Sequence, residues 1–299
     1  MSNLERDPSE LRCAGAAGDE VELLEAREVP LGGPRAMRVR RSLPGLHRRM
    51  IGAWCFVDAF GPGGGPMRVP PHPHTGLQTV SWLVAGEVEH RDSLGSLQTV
   101  RPGQLNLMTA GRGISHSEES PSGQSLHGAQ LWVALPEGDR RVGPGFEHHA
   151  DLPVVAGAGF TATVIMGSFA GASSAATCFT PLVGAEVHAS RTVEVPVDAA
   201  FEHGVLSLDS PSAPLRYVPP GRTAVRVEAG RSLLIGGEPF GEEIVMWWNF
   251  VGRSHDDIAA YRKEWMEGDG FGTVRGFDGD PLPAPILPNA RLKPRGRTR

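Results

Sequence analysis

Short apolar segments alternate with glycine- and proline-rich breaks along most of this chain. In the first half, VELLEAREV, AMRVRRSL and MIGAWCFVDAF are cut by LGGP and GPGGGP. Further on, GLQTVSWLV, EVEHRD, LQTVR and QLNLMTA are separated by turn residues at Ala85-Gly86, Gly95 and Pro102-Gly103. Short apolar runs bounded by such residues predict β-strands. Strand–turn alternation of this kind closes into a sandwich or small barrel, so the sequence predicts an all-β fold.

The same texture returns between about residues 159 and 252, in TATVIM, RTVEVPV, HGVLSLD, TAVRVEAG and EIVMWWNFV. Two β units of similar size are therefore expected. We place the first barrel at residues 20–140, a polar linker at 141–158, the second barrel with its helix at 159–280, and a flexible tail at 281–299. The second unit contains His188 and His203 but no HxH pair, so a second metal site of the same design is not expected.

One helix is predicted near the end of the second unit. Ser254 and Asp257 have the spacing of a capping box. Apolar residues follow at helical spacing, and Gly268 is a suitable C-terminal stop. The preceding Trp247-Trp248 pair is interpreted as core and interdomain packing.

Two pairs of potential metal ligands, each with a spacing of two, flank the consecutive strands between residues 71 and 119. They are His72 with His74, and His116 with Glu118. In an extended strand, residues i and i+2 project from the same face, and the prolines around the first pair favour extended backbone. Glu119 does not share the strand face of His116, which favours Glu118. If the strands fold back, three imidazoles and one carboxylate converge, a donor set suited to a divalent transition metal.

Other histidines carry weaker signals. His90 and Asp92 share a strand face and could reach a cavity, but a hydrogen-bonded pair on the surface is the favoured interpretation. His127 opens an apolar strand, which indicates a core or barrel-mouth position. His148 and His149 fall in the predicted linker, and adjacent strand residues face opposite ways, which argues against joint ligation.

Composition narrows the classes of partner. With 34 acidic and 29 basic side chains and a formal charge of -5, the chain gives no reason to expect direct nucleic-acid binding. Cys13, Cys55 and Cys178 lie far apart without CxxC spacing, which argues against a disulfide framework and fits a reducing cytosol. The first 18 residues are polar, as in a loosely held terminus. Since neither a secretory signal nor a membrane span is apparent, a cytoplasmic protein is expected.

Four blocks, PHPHTGLQTV, EHRDSLG, PGQLNLMTAGRGISHSE and LLIGGEPFGEEIVMWWNFV, resemble the pirin family of the cupin superfamily, in order and across roughly residues 35–275. The long MTAGRGI-H-x-E run makes the match specific. The resemblance implies two cupin barrels of the double-stranded β-helix (jelly-roll) type packed face to face. It implies one metal in the first barrel, on His72, His74, His116 and Glu118. Fe(II) is the expected metal, with Mn, Ni, Co, Cu or Zn as alternatives.

The resemblance leaves two functions open. The family includes proteins that resemble quercetin 2,3-dioxygenases, which open flavonols with O₂ and release CO. This predicts an enzyme with a small aromatic, oxygen-chelating substrate and Glu118 as the catalytic base. It also includes iron-dependent regulators that bind transcription factors, which predicts a redox-sensitive module with a protein partner.

One position departs from the wider superfamily, in which a glutamate commonly follows the HxH pair by four residues. Here that position is Gln78. A neutral amide cannot act as an anionic ligand, acid or base. Gln78 is therefore expected either to hydrogen-bond behind the metal ligands or simply to face the barrel.

Overall fold

The computed structural model describes residues 20–31, 37–64, 66–121, 124–210 and 212–298. Within these ranges the regular secondary structure is β-strand apart from one helix near the end, so the all-β prediction is confirmed. The predictions for the first 18 residues, for Cys13 and for most of the LGGP break lie outside the described residues.

Twelve strands come from the first half of the chain and eleven from the second. The first group is β1 (Glu22–Leu24), β2 (Arg27–Leu31), β3 (Met37–Leu43), β4 (Trp54–Gly64), β5 (Arg68–His74), β6 (Leu77–Ala85), β7 (Val88–Asp92), β8 (Leu97–Val100), β9 (Leu105–Thr109), β10 (Ile114–Glu119), β11 (Leu126–Ala134) and β12 (Gly145–His149). The second group is β13 (Val154–Gly157), β14 (Phe160–Phe169), β15 (Ala172–Ser173), β16 (Leu182–Ala189), β17 (Val193–Pro196), β18 (Glu202–Ser207), β19 (Leu215–Val218), β20 (Ala224–Val227), β21 (Gly230–Gly237), β22 (Val245–Trp247) and β23 (Phe250–Gly252).

The first barrel encloses the space between two antiparallel sheets. One sheet has seven strands in the order β12-β9-β6-β11-β4-β3-β2, and the other has four in the order β5-β10-β7-β8. Strand β12 lies within the stretch for which the sequence predicts a linker, and it pairs with β9 at the edge of the larger sheet. The metal-ligand pairs of the sequence lie on β5 and β10 of the smaller sheet.

The second barrel combines an eight-stranded sheet with the two-stranded β17-β20 pair. The larger sheet has the order β1-β19-β18-β21-β16-β14-β13, with β15 paired to β14. Strand β1 lies within residues 20–140, the range predicted for the first barrel, but it pairs with β19 of the second. The core of this barrel is rich in valine, whose branched side chain suits strands; examples are Val164, Val187, Val205, Val225 and Val227.

Alternation along β6 separates the two faces of the seven-stranded sheet. Trp82 and Gln78 share one face, and both bond to the second barrel. Trp82 Nε1 donates to the Glu186 carboxylate at 2.7 Å, and Gln78 Nε2 donates to the Thr177 carbonyl at 3.1 Å. Ser81 lies on the other face and bonds inside the first barrel. The barrels therefore pack face to face, as predicted, and Gln78 points towards the second barrel.

A buried carboxylate joins the two barrels. Glu202 on β18 is inaccessible to solvent and accepts hydrogen bonds from the Gly52 N–H at 2.6 Å and the Tyr217 hydroxyl at 3.0 Å. Arg297 donates to the same carboxylate at 2.6 Å, and a nitrogen of Arg48 lies 3.6 Å away. Parts of the chain that are distant in sequence therefore meet at one charged group.

The helix α1 (His255–Glu267) begins and ends at the predicted residues. The Ser254 hydroxyl accepts from the Asp257 N–H, and the Asp257 carboxylate accepts from the Ser254 N–H, which forms the expected capping box. At the other end, the Gly268 N–H donates to the Glu264 carbonyl.

Residues 281–298, for which the sequence predicts a flexible tail, run across the body of the protein. The backbones of Arg295 and Ile244 exchange two hydrogen bonds, of 2.9 and 3.0 Å. Nearer the start of this segment, the Leu282 N–H donates to the Pro71 carbonyl at 2.8 Å, beside the predicted metal ligands.

Replacing Glu202→Ala should lower the free energy of unfolding by about 3 kcal/mol, because buried donors and arginine charge lose their acceptor. Denaturant titration followed by tryptophan fluorescence measures the loss. The matched control is Glu194→Ala, on an exposed position of the same barrel, with an expected change under about 0.5 kcal/mol. Equal stabilities of the two variants would contradict this role for Glu202.

Candidate metal centre

Two neighbouring strands of the four-stranded sheet carry the predicted ligands. Strand β5 supplies His72 and His74, and strand β10 supplies His116 and Glu118. The strands pair antiparallel with His116 directly opposite His72. Since opposed residues of an antiparallel pair point to the same face, the register brings histidines from both strands together.

The chain bends before β10 at Gly111 and Gly113, whose φ angles are 52° and 153°. A Cβ atom on Gly111 would lie 2.1 Å from the Val142 carbonyl oxygen, so a larger residue does not fit there. The bend therefore requires glycine both for its backbone conformation and for its close approach to another segment.

The three imidazoles form one compact buried cluster. Their candidate ligand atoms all lie within 4.8 Å of one another, and none of the three residues is exposed to solvent. Within the described part of the chain, neither His74 Nε2 nor His116 Nε2 has a hydrogen-bond partner. Leaving a buried nitrogen unpaired is costly, and coordination of a metal ion would satisfy it. The cluster therefore fits a divalent transition metal.

Backbone carbonyls orient two of these histidines. His72 Nδ1 donates to the Pro70 carbonyl at 2.8 Å, and His74 Nδ1 donates to the Asn249 carbonyl at 3.2 Å. A carbonyl only accepts, so in each ring the proton lies on Nδ1 and the lone pair on Nε2. This is the tautomer that a metal ligand needs. Asn249 lies between β22 and β23, so the second half of the chain orients a ligand of the first barrel.

The third ligand is oriented through His90 and Asp92. The Asp92 carboxylate accepts from His90 Nε2 at 3.1 Å, while its other oxygen accepts from the backbone N–H groups of Leu94 and Ser96. His90 Nδ1 then accepts from His116 Nδ1 at 3.3 Å. The two bonds place the His116 proton on Nδ1 and direct its Nε2 lone pair into the cluster.

The prediction that His90 and Asp92 form a surface pair is wrong, because they are only 4% and 2% exposed. Strand β12, which the sequence predicts as linker, covers them. Its Phe146 ring stacks on the His90 ring at a centroid distance of 4.4 Å.

Burial lowers the pKa of His72, His74 and His116 well below the ordinary histidine value, because the charged imidazolium is poorly solvated there. At neutral pH the three rings are therefore uncharged. Their lone pairs are available to a metal ion without competition from protons.

Glu118 is buried on the same strand as His116, but it lies outside the three-histidine group. Its Oε1 atom is 3.3 Å from the Ser81 hydroxyl, which lies nearer, at 2.9 Å, to Gln130 Oε1. The pairing of β10 with β5 shifts register between His116 and Glu118. Glu119, the alternative ligand, instead forms an ion pair with Arg68 at 3.0 Å.

A line of polar residues crosses the seven-stranded sheet. It lies on the face that points into the first barrel, towards these histidines. Each member stands directly opposite the next in the strand register, and all point to the same face. We call this set the polar row; its members are Arg41, Asp58, Gln130, Ser81, Asn106 and His148.

Members of the polar row bond in pairs. The Arg41 guanidinium donates twice to Asp58, at 2.8 and 2.9 Å. His148 Nδ1 donates to Asn106 Oδ1 at 2.7 Å. Among the described residues, Asn106 Nδ2 and Gln130 Nε2 have no partner, although both residues are more than nine-tenths buried. The row therefore presents unused hydrogen-bond donors to the interior of the first barrel.

Aromatic rings line the same interior. Trp132, next to the polar row on β11, meets the His74 ring edge-on at a centroid distance of 5.1 Å. Phe56 stacks on Trp132 at 4.0 Å, and Arg41 lies over the other face of Phe56. Together with Phe146, these rings form apolar walls beside the histidines.

The remaining predicted residues lie away from the cluster. His127 Nε2 donates to the Leu208 carbonyl at 2.8 Å, which places it at the contact between the barrels. His149 bonds to Glu147, whereas its neighbour His148 belongs to the polar row, so the two face different ways as expected. Trp248 is buried in an aromatic cluster with α1, which agrees with a packing role.

Sequence reasoning missed Ser81, Asn106 and Gln130. Each stands directly between two apolar residues of its strand, in VSW, LNL and AQL. That pattern is a usable signal, because a polar side chain facing a core requires a partner. It does not reveal that the three residues stand side by side, since register between distant strands is not visible in the sequence.

The fold and this cluster define a protein of two cupin barrels, the first of which holds a site suited to a metal. A family model described as Pirin matches residues 36–133, and one described as Pirin C-terminal cupin domain matches residues 217–272. The chain belongs to the pirin family, which confirms the resemblance found in the sequence.

Relatives and solved structures agree with this assignment. A Pseudomonas aeruginosa protein named provisionally as a quercetin 2,3-dioxygenase is 44% identical, over 90% of this chain and 91% of its own. Pirin of Rattus norvegicus is 31% identical, over 74% of this chain and 84% of its own. The crystal structure of a quercetin 2,3-dioxygenase from Acinetobacter baumannii is 39% identical with a TM-score of 0.85, covering 92% of this chain and 97% of that one.

The sequence also predicts that the protein has no contact with a membrane. In the part of the chain that the structure describes, no helix has the length and apolar character to cross a bilayer.

Replacing Asp92→Asn should weaken metal binding about 10- to 100-fold, because the amide would donate to His90 Nε2 and reverse the tautomers that orient His116. Competition with a chromophoric chelator measures the affinity. Glu89→Gln, on the same strand, is the control and should bind metal like the wild type. Unchanged affinity in Asp92→Asn would show that the Asp92–His90 bond does not orient the ligand.

Proposed function

We propose that this chain is an iron-dependent dioxygenase that opens flavonol- or catechol-type substrates with O₂. The observation that carries the proposal is the buried cluster of three neutral imidazoles, two of which have unused Nε2 atoms among the described residues. The names of two relatives that each cover nine-tenths or more of the chain support it. The first-barrel interior, lined with aromatic rings and hydrogen-bond donors, suits a hydroxylated aromatic substrate.

In this proposal His72, His74, His116 and Glu118 hold the metal, preferably Fe(II). Three neutral ligands and one carboxylate leave a divalent ion with a net positive charge, which favours an anionic oxygen ligand. When bound, the metal supplies Lewis acidity towards a phenolic oxygen and the one-electron chemistry that reaction with O₂ requires.

Glu118 is proposed as the base that accepts the proton of the substrate hydroxyl. Its carboxylate is buried on the strand that carries His116, and its Oε1 atom lies 3.3 Å from the Ser81 hydroxyl. A base must lie within hydrogen-bonding reach of the proton that it removes. Its position two residues after His116, on the same strand, supports a role beside an oxygen that the metal site would bind.

The polar row and the aromatic walls are proposed to hold the rest of the substrate. Asn106 Nδ2 and Gln130 Nε2 would donate to substrate oxygens, since they lack other acceptors among the described residues. Trp132, Phe56 and Phe146 would contact the aromatic rings and exclude water. Arg41 is already paired with Asp58, so it adds no net charge to the pocket.

Oxygen uptake tests the reaction. Protein loaded with Fe(II) should consume O₂ when given a flavonol such as quercetin, and metal analysis should show about one ion per chain. His74→Ala, which removes one ligand, should lose both the metal and the activity.

Absence of uptake by fully metallated protein, across a panel of flavonols and catechols, would contradict the dioxygenase proposal. It would favour the other function that the sequence leaves open, a redox-sensitive module that binds a protein partner. The similarity to a mammalian pirin is the observation that supports this protein-binding function.

Replacing Glu118→Gln should lower kcat by about 10²- to 10⁴-fold, because an amide of the same size cannot accept the substrate proton. Steady-state oxygen consumption measures this, with metal content determined in parallel. The control is Glu119→Gln, which alters the neighbouring outward-facing carboxylate. Full activity of Glu118→Gln at normal metal content would exclude Glu118 as the base.

Replacing Asn106→Leu should raise KM for a polyhydroxylated flavonol about tenfold, with a smaller effect on kcat, because one donor to the substrate is lost. Initial rates over a range of substrate concentrations measure the split. Asn289→Leu, at an exposed position, is the control. If KM stays at the wild-type value, Asn106 does not contact the substrate.

A further inference from the structure

The second barrel contains a cavity that the proposed reaction does not use. Its volume is about 540 Å³, and it opens to solvent on one side. Buried residues, including Phe169, Val183 and His203, form its floor. Gly171 and Asp198 are among the exposed residues at its rim. This cavity therefore lies in the second barrel, for which the sequence predicts no metal site.

His203 is the buried ring-nitrogen donor and acceptor of the lining, which also includes the Thr180 hydroxyl, and strand alternation explains its direction. Its neighbour Glu202 points towards the first barrel, where it bonds to Gly52. His203 therefore points the other way. Val205 shares its face and belongs to the core of the second barrel.

The His203 ring occupies space that a glycine provides. A Cβ atom on Gly236, the residue opposite it on β21, would lie 2.6 Å from His203 Cδ2. The side chain is fully buried, yet neither Nδ1 nor Nε2 has a hydrogen-bond partner among the described residues. A buried imidazole with two unpaired nitrogens is costly unless a bound molecule pairs with it.

The charge of the pocket limits the kind of molecule that fits. Burial lowers the pKa of His203 to about 4, so the ring is neutral at pH 7 and offers one donor and one acceptor. Asp198 at the rim is negatively charged and disfavours anions. The walls are otherwise mostly apolar, with Phe201 and Val197 beside the histidine. These properties favour an uncharged aromatic molecule that carries a hydroxyl group.

We propose that this cavity is a second ligand site, which binds an uncharged hydroxylated aromatic molecule through a hydrogen bond to His203. The hydroxyl pairs with a ring nitrogen, while the aromatic ring lies against Phe169 and Val183. The site belongs to the second barrel alone. It therefore does not depend on the metal or on the proposed dioxygenase activity.

Calorimetric titration of the full chain with 2-naphthol tests the proposal. This probe is uncharged at neutral pH and carries one hydroxyl group. We expect one molecule bound per chain, with equal affinity in metal-loaded and chelator-treated protein. The methyl ether, 2-methoxynaphthalene, cannot donate and should bind about tenfold more weakly.

Two variants locate the binding. His203→Leu keeps a side chain of similar size but removes both ring nitrogens. It should weaken 2-naphthol binding about tenfold. Val197→Trp keeps His203 but fills the cavity with an indole, and it should abolish binding. If His203→Leu fails to fold, Val197→Trp decides the question. Asn289→Leu, at an exposed position outside both sites, is the control and should bind like the wild type.

Two results would overturn the proposal. One is no binding of 2-naphthol by the wild type. The other is binding that survives in both second-barrel variants, or that disappears on chelation, since either places the probe in the first barrel. Loss of flavonol-dependent oxygen uptake would leave this site unaffected, so the two proposals fail separately.

Discussion

The first barrel depends on the antiparallel register that sets His116 opposite His72. That register gathers three imidazoles in a buried space, where burial keeps them uncharged. A buried neutral histidine ligates only if something accepts its other proton. Two backbone carbonyls and the Asp92–His90 pair do so. The surrounding strands therefore fix the proton on each ring as well as its position.

The seven-stranded sheet serves two purposes because neighbouring residues face opposite sides. Its inner face carries the polar row and Trp132, whose side chains point towards the histidines. Its outer face carries Trp82 and Gln78, which bond to the second barrel. A one-residue slip of a strand would exchange its residues between these faces, so the contact between barrels and the inner face of the first barrel are specified together.

The sequence predicts the strands, the helix cap and the inward-facing histidines of β5 and β10, because each depends on neighbours within about four residues. The part of Glu118 in metal binding stays a prediction. The resemblance to a family adds the two-barrel arrangement. The burial of His90 and Asp92 could not be predicted. The His90 ring is covered by Phe146, which comes from a segment for which the sequence predicts a linker. The polar row could not be predicted either. Its members come from six strands, and the register between those strands is visible only in the folded sheet.

Strand β1 crosses from the start of the chain into the sheet of the second barrel, and Arg297 returns from the far end to bond Glu202. Both ends of the described chain therefore contact the second barrel. Severing it between the barrels would leave the second sheet without its edge strand and the first without the carbonyl of Asn249 that orients His74. The first barrel is consequently not a detachable module, and the orientation of His74 depends on sequence that lies more than a hundred residues downstream.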